Sequence, residues 1–262
     1  MFTGKMTTES TPERVYAMYS IVKDQKSIRQ QDLKRLIEPE KLFIKTSYFN
    51  QTLTCAKELG LVKVNDDKIE LTKAEQTISS MADFRIYVIE KMNDLSSSTF
   101  YRVTNALVNL DEDAYKAKLS DVETIQKING VISGNVDNKE MNAWRLWIPF
   151  MQMGYIHNNI FIPNAYGFIK TLLPVLSLEK GKEYPFEEFM RAFNQHGGAI
   201  LTENYRERNL NIAMSHGLRM LDENREIDLL EDNDRIVSYT LYPMALQKKK
   251  NITGFVYKGV NS

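Results

Sequence analysis

A helix that ends at a glycine and leads into a short hairpin constrains the fold of this chain more than any other feature. Within residues 47–71, SYFNQTLTCAKELGLVKVNDDKIEL, the apolar residues Leu53, Ala56 and Leu59 recur at helical spacing. Gly60 then ends the helix, because glycine adopts the left-handed conformation without a steric clash at Cβ. Alternating apolar residues follow on both sides of a polar Asn-Asp-Asp tip. The pattern predicts one helix followed by a two-stranded hairpin.

Two further helices precede this stretch. Thr11 and Pro12 form a helix start, with the threonine as N-cap and the proline at the first helical position. A second short amphipathic helix ends before Pro39. Three helices followed by a hairpin resemble a winged helix-turn-helix domain, in which the third helix usually faces DNA. The resemblance covers residues 11–71.

The helix–glycine–hairpin pattern recurs in the middle of the chain. Trp144 and Trp147 lie on the apolar face of a predicted helix, and Gly154 ends that helix. A very short hairpin with the tip His157-Asn158-Asn159 follows. This copy lacks a clear set of preceding helices, so it is a third candidate unit and not a complete one.

A further copy lies near the C-terminus. Its helix ends near Leu221, and residues 227–230 and 236–241 have the alternation typical of strands around an acidic tip. Two predicted helices precede it, at residues 166–176 and 186–193. This copy therefore has three helices and a hairpin, and its resemblance to a winged-helix domain covers residues 166–241.

The sequence therefore predicts a mainly α fold with small β-hairpin wings. Two winged-helix units, with the middle copy as a third candidate, are joined by a helical middle segment. The expected domain boundaries are residues 1–80, 81–163 and 164–262. A helical protein with isolated hairpins is the alternative, since a single helix–glycine–hairpin pattern is common.

The overall charge gives no sign of a large basic surface. The 262 residues include 34 Lys and Arg and 34 Asp and Glu, so any contact with nucleic acid must come from a local patch. The single cysteine, Cys55, excludes an intramolecular disulfide and fits a reducing cytoplasm. The N-terminus has no apolar signal region, and no apolar run approaches the ~20 residues needed to cross a bilayer. We therefore expect a cytoplasmic protein that has no membrane partner.

Catalytic motifs are missing from the sequence. The three histidines, His157, His196 and His216, are far apart and share no metal-ligand spacing with Cys55. The chain has no Walker-type phosphate loop, no GxGxxG nucleotide-binding motif and no GxSxG nucleophile elbow. We expect no catalytic residue, no metal site and no cofactor, and hence a protein that is not an enzyme.

Polar and basic residues on two of the predicted third helices favour duplex DNA as a partner. Asn and Gln can pair with adenine edges in a major groove, whereas Lys, Arg and Ser suit phosphates. The candidates in the first unit are Lys45, Ser47, Tyr48, Asn50 and Gln51, and those in the C-terminal unit are Arg206, Arg208, Asn209, Asn211 and Arg219. The C-terminal unit is the more cationic, so the stronger expectation lies there. An ordinary hydrophilic helix surface would carry similar residues, and both wing tips are acidic.

The middle copy differs in kind, because its helix is dense in aromatic residues. Trp144, Trp147, Phe150 and Tyr155 are candidate docking residues for another protein, since aromatic side chains are enriched at protein interfaces. A stripe of this kind is more often part of a hydrophobic core, so both interpretations stay open.

One further resemblance rests on residues 144–164, WRLWIPFMQMGYIHNNIFIPN. This segment is similar to winged-helix accessory proteins of bacterial DNA-modification and phage-defence loci. The resemblance implies a DNA-binding or complex-assembling component that works beside separate enzymes. Our first hypothesis is a non-enzymatic DNA-binding protein. The alternative is a protein–protein interaction subunit of a chromosome-structuring (SMC-type) ATPase complex or of a defence complex, and other protein subunits or a homodimer are compatible with both.

Overall fold

A computed structural model describes most of the chain. The described residues are 1–39, 47–72, 78–203, 208–232, 234, 236–244 and 251–259. They form a mainly α-helical structure with small antiparallel sheets of two or three strands, which confirms the predicted fold class. Among these residues, no helix has both the length and the apolar character that crossing a membrane requires.

The N-terminal part begins with a helix and ends with a three-stranded sheet. Its elements are α1 (Pro12–Gln25), β1 (Ser27–Arg29), α2 (Gln30–Ile37), α3 (Tyr48–Glu58), β2 (Val62–Asn65) and β3 (Lys68–Leu71). The strands are antiparallel and lie in the order β1–β3–β2. The predicted helix start is confirmed, since the Thr11 hydroxyl accepts a hydrogen bond from the Arg14 backbone N–H. The predicted helix end is confirmed as well, because Gly60 follows α3 with a φ of 72°.

After one additional helix at its start, the middle part repeats this order, and its first strand is reduced to one residue. Its elements are α4 (Met81–Lys91), α5 (Thr99–Val108), α6 (Val122–Ile132), α7 (Asn138–Phe150), β4 (Gly154–His157) and β5 (Ile160–Pro163). Between α5 and α6, Lys118 forms an antiparallel bridge to Ile160, so the sheet order is Lys118, β5, β4. The predicted hairpin is confirmed. Its turn residues Asn158 and Asn159 both have positive φ, as a tight hairpin turn of type I′ requires.

The C-terminal part has the same order once more, with extra elements inserted. These are α8 (Tyr166–Leu172), β6 (Glu183–Pro185), α9 (Phe186–Phe193), α10 (Ala199–Thr202), α11 (Ile212–Glu223), β7 (Ile227–Leu230), β8 (Tyr239–Thr240), β9 (Asn251–Ile252) and β10 (Gly254–Tyr257). The main sheet is antiparallel in the order β6–β10–β7, and β8 pairs with β9 in a separate small sheet. The order of strands matches that of the N-terminal sheet.

The predicted partner of β7 is wrong. Residues 236–241 were expected to return beside β7, but β7 pairs with β10, where Leu229 lies opposite Phe255. The reason is burial: the Phe255 ring is fully buried and stacks on Phe189 at a centroid distance of 4.2 Å, whereas Ile236 is 99% exposed. Strands β8 and β9, which lie between β7 and β10 in the sequence, pair with each other instead.

One hydrophobic core runs through all three parts. Phe2 packs edge-on against Phe100, at a centroid distance of 5.1 Å, and against Trp147, at 4.9 Å. The indole N–H of Trp144 donates to Thr104 Oγ1, and that of Trp147 donates to the Ser10 carbonyl. The N-terminal segment is thus packed between α5 and α7.

Candidate nucleic-acid interface

The outer face of α3 is polar and carries no acidic side chain. Ser47, Asn50, Thr54 and Lys57 are exposed and recur every three or four residues, so they share one side of the helix. The only acid of α3, Glu58, points inward, where its carboxylate accepts hydrogen bonds from the backbone N–H of residue 2 and the hydroxyl of residue 3. The opposite side is buried in the core. The outer face therefore offers hydroxyl, amide and ammonium groups to a partner.

Two of the predicted residues of the first unit lie at the edge of this face. Tyr48 is half-buried, and the Arg14 guanidinium lies 4.1 Å from the centroid of its ring, a cation–π contact. Gln51 is also half-buried. Lys45 lies outside the described residues. The structure thus brings together Ser47, Asn50 and Gln51 on α3, with Tyr48 tied to α1.

The hairpin after α3 has an acidic tip, as the sequence indicates. Asp66 and Asp67 form the turn between β2 and β3. Lys63, on β2, lies 3.6 Å from the Glu70 carboxylate across the hairpin, so its charge is partly compensated. This wing is poorly suited to contact phosphates, and α3 is the part of the unit with the suitable chemistry.

The predicted interface of the C-terminal unit is wrong for Asn211, which is buried, whereas Arg219 makes a contact within the protein. Asn211 is 5% exposed: it caps α11 by accepting from the Met214 backbone N–H, and it donates to the Leu201 carbonyl. Arg219 is half-buried and donates to the Tyr242 carbonyl at 2.9 Å. Burial lowers the pKa of the Arg219 guanidinium. Both side chains bind neighbouring segments, and the burial of Asn211 makes it unavailable to a base edge.

Of the remaining candidates of this unit, two lie side by side in the chain. Arg208 and Asn209 are exposed in the segment before α11. Arg208 lies 3.8 Å from a Glu187 carboxylate oxygen and 6.0 Å from the centroid of the Tyr239 ring. Arg206 lies outside the described residues.

Neighbouring segments cover α11. The Tyr242 backbone N–H donates to Ser215 Oγ, and the Ile212 backbone N–H donates to Asp111 Oδ1. At Gly217, an added Cβ would lie 2.7 Å from the backbone of Ala165, so α8 packs closely against the helix. A helix that is enclosed in this way cannot enter a DNA groove without displacing its cover.

The predicted docking role of three aromatic residues in the middle unit is also wrong. Trp144 and Trp147 are fully buried and Phe150 is 9% exposed, so none of them presents its ring to a partner. Their apolar stripe belongs to the core. Tyr155, at 53% exposure, is the one predicted docking residue whose ring reaches the surface.

Sequence reasoning missed the opposite face of α7. Lys139, Asn142, Leu146 and Pro149 are exposed there, and the half-buried Arg145 donates to Asn142 Oδ1 at 3.1 Å. The signal was present in the sequence, because these residues recur at helical spacing on the side away from the tryptophans. The aromatic residues on the opposite side of α7 gave the stronger pattern, so the docking role was assigned to that buried side.

The chain matches one known protein family. The family model described as DpdG-like matches residues 5–235. The chain belongs to the DpdG-like family. Membership of this family associates the protein with a DNA-modification locus. Neither the curated proteins nor the solved structures yielded a match.

The match to the DpdG-like family spans α3, α7 and α11 and ends before β8. Across the described parts of this chain, no three His, Cys, Asp or Glu side chains are grouped as metal ligands would be. Cys55 is fully buried, and burial raises the pKa of its thiol, which makes the residue a poor nucleophile.

Proposed function

We propose that this DpdG-like protein is a non-enzymatic, DNA-binding, tandem winged-helix component of a bacterial DNA-modification or phage-defence system. In this proposal it contacts duplex DNA through the outer face of α3. Association of the family with a DNA-modification locus supports a role near DNA. The absence of catalytic motifs from the sequence supports an accessory role beside separate enzymes.

The order of elements supports the winged-helix part of the proposal. A helix, a strand, two helices and a hairpin, with the third strand between the first two, is the arrangement of a winged-helix domain. The N-terminal sheet has this order as β1–β3–β2, and the C-terminal sheet has it as β6–β10–β7. The bridge between Lys118 and Ile160 gives the middle part the same order. We therefore infer three winged-helix units in tandem.

The observation that carries DNA binding is the chemistry of the outer face of α3. Asn50 can pair bidentately with an adenine edge, while Ser47, Thr54 and Lys57 can contact phosphates. Since α3 is the third helix of its unit, it is the helix that enters the major groove in this class of domain.

Salt-dependent binding to duplex DNA tests the proposal. We expect the wild-type chain to bind a fluorescein-labelled duplex at low salt, and fluorescence anisotropy to show weaker binding as salt is raised. Lys57→Ala should lower the slope of log affinity against log salt by about 1, because one phosphate contact is lost. The matched control is Lys180→Ala, an exposed lysine in the turn before β6, which should leave the slope unchanged. A wild-type chain that fails to bind at low salt would refute the proposal.

The alternative is a protein–protein interaction subunit of an SMC-type or defence complex. The acidic tip at Asp66 and Asp67 and the zero net charge of the chain favour it. Under this alternative, size-exclusion chromatography with another subunit of the system gives a larger species, while the chain alone shows no salt-dependent DNA binding. A homodimer would elute as a larger species without any partner.

A further inference from the structure

We propose that the outer face of α7 is a second contact surface for duplex DNA, formed by Lys139, Asn142 and Arg145. This inference rests on the proposed function in one respect, that DNA is the ligand. The proposed DNA contact lies on the middle unit, not on the N-terminal unit, and its residues are not among those predicted from the sequence.

The geometry of α7 suits a DNA groove. Lys139, Asn142 and Arg145 are three residues apart, so they form one row along the helix, about 9 Å long at ~1.5 Å per residue. A major groove is about 12 Å wide and admits one helix. The Arg145 guanidinium donates a hydrogen bond from Nη1 to Asn142 Oδ1 at 3.1 Å, so these two side chains lie side by side. Asparagine and arginine are side chains that can form hydrogen bonds with base edges, and arginine also binds phosphate groups.

The charge of this face is complementary to DNA. The only acid of α7, Glu140, is 6% exposed and accepts hydrogen bonds from the backbone N–H groups of Met6 and Asp137. The carboxylate that precedes the helix, that of Asp137, lies 3.1 Å from Lys5 Nζ and is compensated by it. Two cations of α7 therefore face outward with no uncompensated acid of the helix beside them. The outer face of α7 thus carries two cations, although the net charge of the chain is zero.

The wing of this unit is also less acidic at its tip than the N-terminal wing. Its turn is Asn158–Asn159, which contains no acid, whereas the N-terminal turn is Asp66–Asp67. Lys118 is exposed and is paired with the wing strand through its bridge to Ile160. The α7 unit thus has a cationic third helix and a wing free of acidic tip residues. On charge it is better suited to DNA than the N-terminal unit.

A double variant tests this surface. Lys139→Ala combined with Arg145→Ala should lower the salt slope of binding to a labelled duplex by about 2, since each lost phosphate contact contributes ~0.9. Lys180→Ala combined with Arg191→Ala removes two exposed charges from the C-terminal unit and should leave the slope unchanged. Lys139→Arg combined with Arg145→Lys keeps the charge and should retain the slope. Because both tryptophans of the chain lie on α7, an unchanged tryptophan emission maximum shows that the helix remains folded.

Comparison with Lys57→Ala separates the two proposals. A lower slope in the α7 double variant together with an unchanged slope in Lys57→Ala supports the α7 surface and overturns the contact through α3. The reverse pattern overturns the α7 surface and retains the function proposed for α3. Lower slopes in both variants support two contact surfaces. A wild-type chain that does not bind DNA overturns both.

Discussion

At the residue scale, the carboxylate of Glu226 is buried beside Lys170. Lys170 Nζ lies 2.7 Å from Glu226 Oε1, and the Glu226 side chain is 2% exposed. The variant Lys170→Met would leave this carboxylate without its cation, and losing the partner of a buried polar group costs about 1–3 kcal/mol. We expect the free energy of unfolding, measured by urea denaturation, to fall by about that amount.

The exposed pair of Lys182 and Glu179 is the matched control. Its nitrogen–oxygen distance is also 2.7 Å, but the two side chains are 53% and 72% exposed. Exposed ion pairs contribute little because water and salt screen them. Lys182→Met should therefore change the free energy of unfolding by no more than about 0.5 kcal/mol. Equal losses in the two variants would contradict the importance of burial at Glu226.

At the element scale, local hairpins could be predicted and distant strand pairing could not. The β2–β3 and β4–β5 hairpins each close over two residues, Asp66–Asp67 and Asn158–Asn159, and such turns carry their own signal. The pairing of β7 with β10 carries no such signal, because a long segment separates them. The alternation in residues 236–241 satisfied the strand pattern equally well. Packing of Phe255 against Phe189 decided the outcome, and only the folded chain brings those rings together.

The outer face of a helix was also hard to predict from the helix alone. Polar residues on α3 face outward, but Asn211 and Arg219 of the α11 region hold Leu201 and Tyr242. In both cases the sequence shows amides and cations at helical spacing. The difference is that segments distant in the sequence pack over α11, whereas the outer face of α3 is exposed. The same reasoning explains why the buried tryptophans of α7 resembled a docking surface.

A close contact between α4 and the turn after α9 depends on Gly197. Its φ is 96°, and an added Cβ would lie 2.1 Å from the Ile89 carbonyl oxygen. Gly197→Ala would strain the backbone, at a cost of order 1–3 kcal/mol, and would push α4 away. We expect the free energy of unfolding to fall by at least this amount, and the melting temperature measured by circular dichroism to fall with it.

Gly130, in α6, is the matched control. Apart from its chain neighbours and the backbone of its own helix, no atom lies within 4 Å of the position that its Cβ would occupy, and its φ is not positive. Because glycine is unfavourable within a helix, Gly130→Ala should stabilise the protein by about 0.5–1 kcal/mol. A neutral Gly197→Ala would show that the contact with α4 can relax without cost.

At the scale of the whole molecule, one order of elements occurs three times. The sequence indicated the repeat through the helix–glycine–hairpin signal, and it left the middle copy incomplete. In the middle copy, the strand that the sequence did not indicate is the single bridge residue Lys118. A single residue has no apolar–polar alternation from which a strand could be predicted. The boundaries expected at residues 80 and 163 stay predictions, since the order of elements does not show whether each unit is stable alone.

The continuous core leads to a prediction about unfolding. Phe2 packs between Phe100 and Trp147, and the Phe168 backbone N–H donates to the Gln152 carbonyl, so contacts cross both expected boundaries. Because each part buries apolar surface against another, we expect the chain to unfold in one cooperative transition. Urea unfolding would be followed by tryptophan fluorescence, which reports only on α7, and by far-ultraviolet circular dichroism, which reports on all helices. Coincident midpoints are the expected result.

The variant Phe2→Ala sharpens this test. Truncating a buried phenylalanine costs about 3–5 kcal/mol, and the lost contacts lie between the N-terminal segment and the middle unit. In a cooperative molecule, both midpoints fall together by the same amount, because the helices remote from Phe2 lose stability with those near it. If the units are independent, the fluorescence midpoint falls while part of the circular dichroism signal keeps its original midpoint. Such a split would locate a true domain boundary and show that the shared core does not couple the units.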